Sequence, residues 1–254
     1  MIDWMIEQDE RLFLFLNSAH SQFLDLFIYW ISSRIVWVPL YLSLLYAVFL
    51  TYGWRTMLIM ALAAAIAVAA ADQLTATILR PTFERLRPGH PDNPISHLVH
   101  IVNNYRGGHY GFPSCHASNT FAGATLVSLI FRVKRFSIFI FAWALLVSYS
   151  RLYLGVHYPG DLLAGGIIGF ACGSSVYAAA SLITIFLIHR RGVTKKMKWT
   201  YIDSEIDRII SQNYKIHLFG KAITYRATNI PEAVIFLTII ITALITILPQ
   251  IIRL

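Results

Sequence analysis

Charged residues are scarce in this chain: they make up 13% of its 254 residues, whereas 57% are hydrophobic. A soluble globular protein carries about 25% charged residues, so the composition excludes an ordinary soluble domain and predicts an integral membrane protein. Cysteine is also rare, and the two thiols, Cys115 and Cys172, suggest no disulfide framework. The acidic start, residues 1–10, lacks the basic segment of a secretory signal, so we expect no cleaved signal peptide.

The few charged residues are mostly basic, and the formal net charge is +8. On a soluble domain this excess would suggest a nucleic-acid partner. In a membrane protein, however, lysine and arginine collect in cytoplasmic loops. We therefore expect membrane lipids, and no nucleic acid, as partners of this chain.

Six apolar segments approach the length of about 20 residues that a transmembrane helix needs. They cover about residues 36–52, 57–79, 116–131, 136–149, 161–188 and 233–248. Upstream, residues 11–32 are apolar but interrupted by polar side chains, which favours an N-terminal interfacial helix over a full span. The predicted fold class is therefore all-α, a polytopic membrane bundle of about six transmembrane helices.

The placement of lysine and arginine predicts an orientation. If the loops after the first, third and fifth spans face the cytoplasm, that side holds 13 of the 21 basic residues, including every lysine. We expect residues 1–190 to form the membrane core, 191–232 a basic cytoplasmic arm near the anionic leaflet, and 233–254 an additional transmembrane helix. Gly165, Gly169 and Gly173 recur every four residues and predict a close helix contact.

Three short motifs with phosphate-binding side chains lie at the ends of these apolar segments, all on the predicted exoplasmic side. Polar groups at such positions are costly to keep in a membrane, which favours a function for them. The motifs are Arg80-x6-Arg87-Pro88, Pro113-Ser114-Cys115-His116 and Ser150-Arg151-x5-His157-x3-Asp161.

The arginines and the serine of these motifs can bind a phosphate. Arg80, Arg87 and Arg151 can supply three bidentate guanidinium groups. Arg80 and Arg87 are seven residues apart, so we expect them on one helix face, with Arg85 off that face in a headgroup or structural contact. Ser114 precedes an apolar helix and can hold phosphate oxygens with the free N–H groups there, or act as an ordinary N-cap.

His157 and Asp161 form a candidate nucleophilic pair around a turn before the fifth span. A carboxylate near a histidine fixes its tautomer and stabilises the charged ring. The free nitrogen of His157 can then attack phosphorus and form a phosphohistidine, while Asp161 can also cap the helix. His116 remains available as the general acid for the leaving oxygen and the general base for water.

Metal catalysis is the competing chemistry, because four histidines crowd the loop between the first two motifs. None of them has a ligand spacing that pairs it with a carboxylate or a cysteine. We therefore predict no metal site, and we interpret these histidines as polar side chains on the protein surface or as a contact to an anionic headgroup. These histidines are His90, His97, His100 and His109.

The combined pattern resembles that of the type 2 phosphatidic acid phosphatase (PAP2) superfamily: Lys-x6-Arg-Pro, Pro-Ser-Gly-His and Ser-Arg-x5-His-x3-Asp. The match covers residues 80–161, and the three motifs together are far more specific than any one. The resemblance implies a five-helix core and no metal or other cofactor. It also implies phosphate binding by Arg80, Arg87, Ser114, Cys115 and Arg151, with His157 as nucleophile, Asp161 as its support and His116 as acid.

Two positions depart from the superfamily's pattern. Arg80 stands where lysine is usual, which retains the charge but changes its shape. Cys115 replaces the glycine; its backbone N–H can still bind an oxyanion, but a side chain now occupies a place of close approach. We therefore expect an altered local fit and possible thiol sensitivity.

The function predicted is a lipid phosphatase of a bacterial-type cytoplasmic membrane, with its site facing the periplasm or cell exterior. The resemblance suggests undecaprenyl pyrophosphate, phosphatidylglycerol phosphate, phosphatidic acid or lipid A as the substrate. Residues 89–112 are expected to shape the headgroup site, where residues 105–108 could contact a sugar or second phosphate. The soluble vanadium haloperoxidases share the site of this superfamily, but the six apolar segments argue against that class of protein. A phosphotransferase to a second lipid remains an alternative, and a transporter or scaffold is disfavoured by the intact histidines.

Overall fold

The computed structural model describes residues 1–190, 213–218 and 221–226. Its helices are α1 (Ile2–Asn17), α2 (Gln22–Ser32), α3 (Val38–Gln73), α4 (Arg80–Phe83), α5 (Cys115–Phe131), α6 (Lys134–Tyr153) and α7 (Pro159–Arg190), with short 3-10 or π turns at Ile35–Trp37, Leu74–Leu79 and Ser96–Leu98. Strands β1 (Asn213–Leu218) and β2 (Lys221–Arg226) form an antiparallel hairpin. The predicted all-helical membrane bundle is confirmed, and the hairpin lies within the predicted basic arm.

Five of the six predicted spans correspond to helices, and the sixth, 233–248, lies outside the described residues. Among the described residues, four stretches have the length and composition of a membrane span: Ile35–Trp54, Met57–Phe83, Lys134–Tyr153 and Pro159–Ile183. Gly53 separates the first two, because its φ of 81° breaks helix α3. Helix α5 has 17 residues and is only about 26 Å long.

Helix α5 lies at the centre of the bundle and packs against α3, α6 and α7. Its contact with α7 uses the predicted glycine stripe. A Cβ added at Gly173 would lie 2.6 Å from the carbonyl oxygen of Ala122, and Gly165 and Gly169 are packed even more closely on α5. The stripe therefore holds the start of α5 beside the start of α7, where the second and third motifs meet.

The N-terminal segment forms two helices, α1 and α2, which are too short to span a bilayer. Both pack on the end of the bundle that carries the motifs. Phe13 is fully buried against Leu152 and Tyr158. Asn17, one of the polar residues that interrupt the apolar pattern, is buried and donates to the Tyr153 carbonyl at 2.9 Å. Helix α1 is thereby anchored beside the third motif.

Candidate active site

His157 lies at the centre of the site and is only 1% exposed. Its Nδ1 lies 3.2 Å from Asp161 Oδ2, and its Nε2 lies 2.9 Å from Arg87 Nη1. Because a carboxylate only accepts and a guanidinium only donates, Nδ1 carries the proton and Nε2 carries the lone pair. Burial, followed by the charges of Arg87, Arg151 and Arg80, lowers the pKa of His157 well below its usual value. The ring is therefore neutral at pH 7.

The turn between α6 and α7 sets the position of this pair. Gly155 has a φ of 74°, and an added Cβ there would clash with Val99 and the His100 carbonyl. Asp161 Oδ2 also accepts from the Tyr158 backbone N–H at 3.0 Å, so it holds the turn that carries His157. Asp161 thus contacts the histidine and closes the turn before α7, but it is the third residue of that helix and not its N-cap.

Three arginines surround His157. Arg87 and Arg151 are buried. Burial, followed by the charges of Arg80 and Arg151, lowers the pKa of Arg87 to about 10. Arg87 still carries its charge at pH 7, close enough to the other two for repulsion. The Nε of each of these arginines is buried and has no partner among the described residues. Three cationic side chains with unpaired buried donors are suited to binding an anion.

Arg80 and Arg87 do not share a helix face, and that prediction is wrong. Helix α4 ends at Phe83, because Glu84 adopts a left-handed conformation with φ of 47°. Beyond it the chain is extended, and the Arg87 backbone N–H donates to the His109 carbonyl. The two guanidinium groups approach each other through this change in chain direction, not through helical periodicity.

The second motif forms the start of α5. Ser114 is fully buried, its Oγ caps the Ala117 N–H, and its own N–H donates to the Asp161 carbonyl at 3.0 Å. The ordinary N-cap role is therefore present, and it satisfies one of the free N–H groups at the start of α5. His116 lies in the first turn, and burial, followed by the charges of Arg151 and His157, lowers its pKa to about 2.

His116 also lines two cavities at the surface of the bundle. One, of about 320 Å³, contains Tyr105 and Arg151. The other, of about 470 Å³, extends along α3 and α5. A third cavity, of about 480 Å³, shares Tyr41 and Trp143 with the second and continues into the bundle between largely apolar side chains. A molecule with a polar end and an apolar chain could occupy these three neighbouring cavities.

A model of the PAP2 superfamily matches residues 53–185, which is 133 of the 254 residues. The chain belongs to the PAP2 superfamily. The lipid A 4'-phosphatase of Bacteroides thetaiotaomicron is 46% identical over 184 residues, covering 72% of this chain and 82% of the relative. That of Porphyromonas gingivalis is 36% identical over 176 residues, covering 69% and 74% respectively.

Solved structures of PAP2 phosphatases share the fold. The crystal structure of Aquifex aeolicus LpxE has a TM-score of 0.51 at 26% identity, covering 65% of this chain and 92% of that one. The PAP2-type phosphatidylglycerolphosphate phosphatase of Bacillus subtilis has a TM-score of 0.52 at 22% identity and shows the fold alone. The family match and the sequence relatives show that this PAP2 protein is a lipid phosphatase, and the shared fold shows that it is a multi-pass membrane protein.

The two departures from the PAP2 pattern contact each other. Arg80 Nη2 donates to Cys115 Sγ at 2.9 Å and to the Pro113 carbonyl at 3.2 Å. Thr75 Oγ1 lies 3.2 Å from the same sulfur. The thiol that replaces glycine is thus an acceptor for the arginine that replaces lysine, so the two substitutions form one local arrangement.

Arg85 makes a structural contact, one of the two alternatives expected from the sequence, but its partners were not predicted. Its Nη1 lies 2.7 Å from Asp9 Oδ2 and 3.0 Å from Asp161 Oδ1, and its guanidinium lies over the Tyr158 ring at 3.9 Å. Asp9 also accepts from the Gly160 N–H at 2.8 Å. Helix α1 is therefore connected to the His157–Asp161 pair. Asp9 and Arg85 are far apart in the sequence and share no motif, so the sequence pattern could not predict this contact.

Three of the four loop histidines make contacts, at two separate places, and the fourth, His97, is exposed. His100 Nε2 lies 2.8 Å from Asp25 Oδ1, within the N-terminal contact. His90, Asp92 and His109 offer ligand atoms within 4.8 Å of one another, so they could hold a metal ion that the spacing rule did not anticipate. Two of these three residues are exposed, and none of the predicted catalytic side chains belongs to the group.

The predicted headgroup run of residues 105–108 contributes one side chain to the site. The Tyr105 hydroxyl accepts from Arg151 Nη2 at 2.9 Å, and Tyr105 lines the smaller cavity beside His116. Arg106 instead donates to the Gly89 carbonyl at 2.6 Å. Gly107 packs against the Arg87 side chain with a φ of 70°. The run therefore supports the arginines around His157.

Proposed function

We propose that this PAP2 protein removes a terminal phosphate from a lipid through a phosphohistidine formed on His157. The observation that carries this proposal is the convergence of three arginines, each with an unpaired buried Nε, on the neutral ring of His157. Arg80, Arg87 and Arg151, with Ser114 and the Cys115 N–H, would bind the phosphate oxygens. Arg87 now contacts Nε2, so the phosphate must take over that donor.

The reaction has two balanced steps. In the first, the Nε2 lone pair of His157 attacks phosphorus and the bond from phosphorus to the lipid oxygen breaks. His116, which takes up a proton when the negative phosphate binds beside it, gives that proton to the lipid oxygen. Asp161 stabilises the positive ring through Nδ1–H. In the second, His116 takes a proton from water, the water oxygen attacks phosphorus, and the bond to Nε2 breaks. Inorganic phosphate leaves and His157 is neutral again.

Lipid A is the substrate that the relatives favour, because both curated relatives described above are named lipid A 4'-phosphatases and are covered over most of their length. The apolar cavity beyond His116 suits acyl chains. The excess of lysine and arginine in the other loops supports an inner-membrane protein whose site faces the periplasm. We therefore propose the phosphate of a lipid A-type molecule as the group removed.

A phosphate-release panel tests the substrate. Purified protein in micelles would be given lipid A, undecaprenyl pyrophosphate, phosphatidylglycerol phosphate and phosphatidic acid. We expect the highest kcat/KM for lipid A and free phosphate without any added acceptor lipid. Faster turnover of another lipid would contradict the substrate, and dependence on an acceptor lipid would identify a phosphotransferase.

Excess chelator is expected to leave phosphate release within about twofold of its rate without chelator, because arginines and a histidine perform the chemistry that metals perform elsewhere. The measurement is phosphate release before and after extended treatment with EDTA. Since His90, Asp92 and His109 could hold an ion, His109→Ala is the matched control. The metal-free mechanism would be refuted if EDTA abolished the activity of both the wild type and His109→Ala, and if an added divalent cation restored it in both.

Arg85→Gln is expected to lower kcat by about a hundredfold, with a small change in KM, because Asp161 loses the cation that holds it against His157. We expect Asp9→Asn to have a smaller effect and to add little to Arg85→Gln, since both act through one contact. Arg85→Lys should recover part of the rate. Additive losses in the double variant, or a change confined to KM, would show that Arg85 does not position Asp161.

A further inference from the structure

The cavity of about 470 Å³ beside His116 has a polar side that the proposed mechanism does not use. Its polar lining consists of His116 and of other side chains from α2, the segment before α3, α3 and α5. Trp37, Tyr41 and Trp143 contribute an aromatic wall. Such a mixture is typical of ligand sites, where a few polar groups orient a molecule between apolar surfaces.

Asp72 is the first unusual member of this cavity. It is half-buried within the membrane span Met57–Phe83 and pairs with no cationic side chain in the part of the chain that the structure describes. Its hydrogen-bond partner is the Asn119 amide, which donates to Oδ1 at 2.9 Å. A carboxylate at this depth is costly unless it serves a function, and it can accept from a hydroxyl or an amide N–H.

Arg34 is the second unusual member. It is exposed at the junction of α2 and the turn before α3, and its side chain makes no hydrogen bond or ion pair with any described residue. Its charge nevertheless acts on His116 and Tyr105, so it lies beside the reacting centre. Arg34 lines both cavities that meet at His116. It is a free cation additional to the three arginines around His157.

Arg34 and Asp72 line one cavity without pairing with each other. The cavity therefore offers an anion-binding group and a separate acceptor, with aromatic rings beside them. A ligand that satisfies both needs hydroxyl or amide N–H groups together with an anionic or carbonyl oxygen. A glycerol or isoprenoid phosphate has few such groups next to its phosphate, whereas a phosphorylated acyl sugar has all of them.

We infer that this cavity binds the sugar unit of a phosphorylated glycolipid, with Asp72 accepting from a sugar hydroxyl or amide and Arg34 binding an anionic or carbonyl oxygen. This inference rests on the proposed function and specifies its substrate class. The phosphate lies at His157 and His116, the sugar lies in the polar cavity, and the acyl chains continue into the apolar cavity that shares Tyr41 and Trp143 with it.

The test compares two substrates in the same micelles: lipid A, whose phosphate is on a sugar, and phosphatidic acid, whose phosphate is on glycerol. We expect the ratio of kcat/KM for lipid A to kcat/KM for phosphatidic acid to fall about tenfold in Arg34→Gln and in Asp72→Asn. Arg11→Gln is the matched control, since Arg11 is an exposed arginine that pairs with Glu7 outside these cavities. It should keep the wild-type ratio.

The possible outcomes distinguish failure of the proposed lipid A substrate from failure of the inferred sugar-binding cavity. Wild-type protein that does not release phosphate from lipid A would overturn the proposed substrate and this inference together. Wild-type activity on lipid A with an unchanged ratio in both variants, or with equal losses on both lipids, would overturn the inference alone. Thermal unfolding checks the isosteric Asp72→Asn variant. If that variant does not fold, Arg34→Gln decides the result, because its side chain is exposed.

Discussion

Replacing His157 with glutamine is expected to lower kcat by about four to six orders of magnitude, as removal of a nucleophile does in other enzymes. Glutamine can fill part of the buried space and keep a hydrogen bond to Asp161, but it has no nitrogen lone pair that can attack phosphorus. The measurement is phosphate release by the purified variant from lipid A. The loss should appear in kcat, because the arginines that bind the phosphate remain.

A trapping experiment distinguishes the proposed role of His157 from a general base. With radiolabelled substrate, rapid quenching of wild-type protein should yield a phosphorylated chain whose bond is labile to acid, as expected for phosphorus bound to a ring nitrogen. His157→Gln should yield none. His109→Gln, which changes an exposed loop histidine, should label like wild type. An active His157→Gln variant would refute the nucleophile.

The His157→Gln substitution should also make the unfolding free energy less sensitive to acid. Because burial and the arginines lower the pKa of His157, the unfolded chain binds a proton there below pH about 6.5 that the folded chain excludes. The unfolding free energy of the wild-type protein therefore falls as the pH drops through this window. His157→Gln removes that term, and thermal unfolding at pH 7.5 and 5 should show a smaller loss for the variant.

The sequence predicted the residues of the site better than their arrangement. The three motifs identified His157, Asp161, His116 and the arginines, since the spacing of phosphate-binding side chains at span ends is visible along the chain. The helical relationship of Arg80 and Arg87 failed because a left-handed Glu84 ends α4. The backbone conformation of a single residue decides where such a helix ends, and the periodicity of the sequence does not indicate that conformation.

Contacts between distant segments could not be predicted from one sequence. Asp9 reaches Arg85 only because α1 packs across the start of α7, through Phe13 against Tyr158. The N-terminal segment was predicted as an interfacial helix from its mixed polarity, which is consistent with two short helices but does not reveal what its polar residues bind. Arg34 was likewise visible only as one basic residue among those on the predicted exoplasmic side.

Asp161→Asn is expected to lower kcat by about three to four orders of magnitude, although the substitution changes one atom. Asp161 Oδ2 accepts from both His157 Nδ1–H and the Tyr158 N–H, while Oδ1 lies against Arg85. An asparagine must place its NH₂ group at one of these donors. If that group faces His157, the ring proton moves to Nε2 and the attacking lone pair is lost; if it faces Arg85, two donors oppose each other.

A second aspartate–histidine pair provides the control for this prediction. Asp25 Oδ1 lies 2.8 Å from His100 Nε2 and 2.6 Å from the Tyr153 hydroxyl, at the same end of the bundle. Asp25→Asn removes a comparable charge but no group near the reacting phosphorus, so we expect a modest fall in thermal stability and a kcat within about threefold of wild type. Equal losses of kcat in the two variants would mean that Asp161 supports the fold rather than the attacking nitrogen.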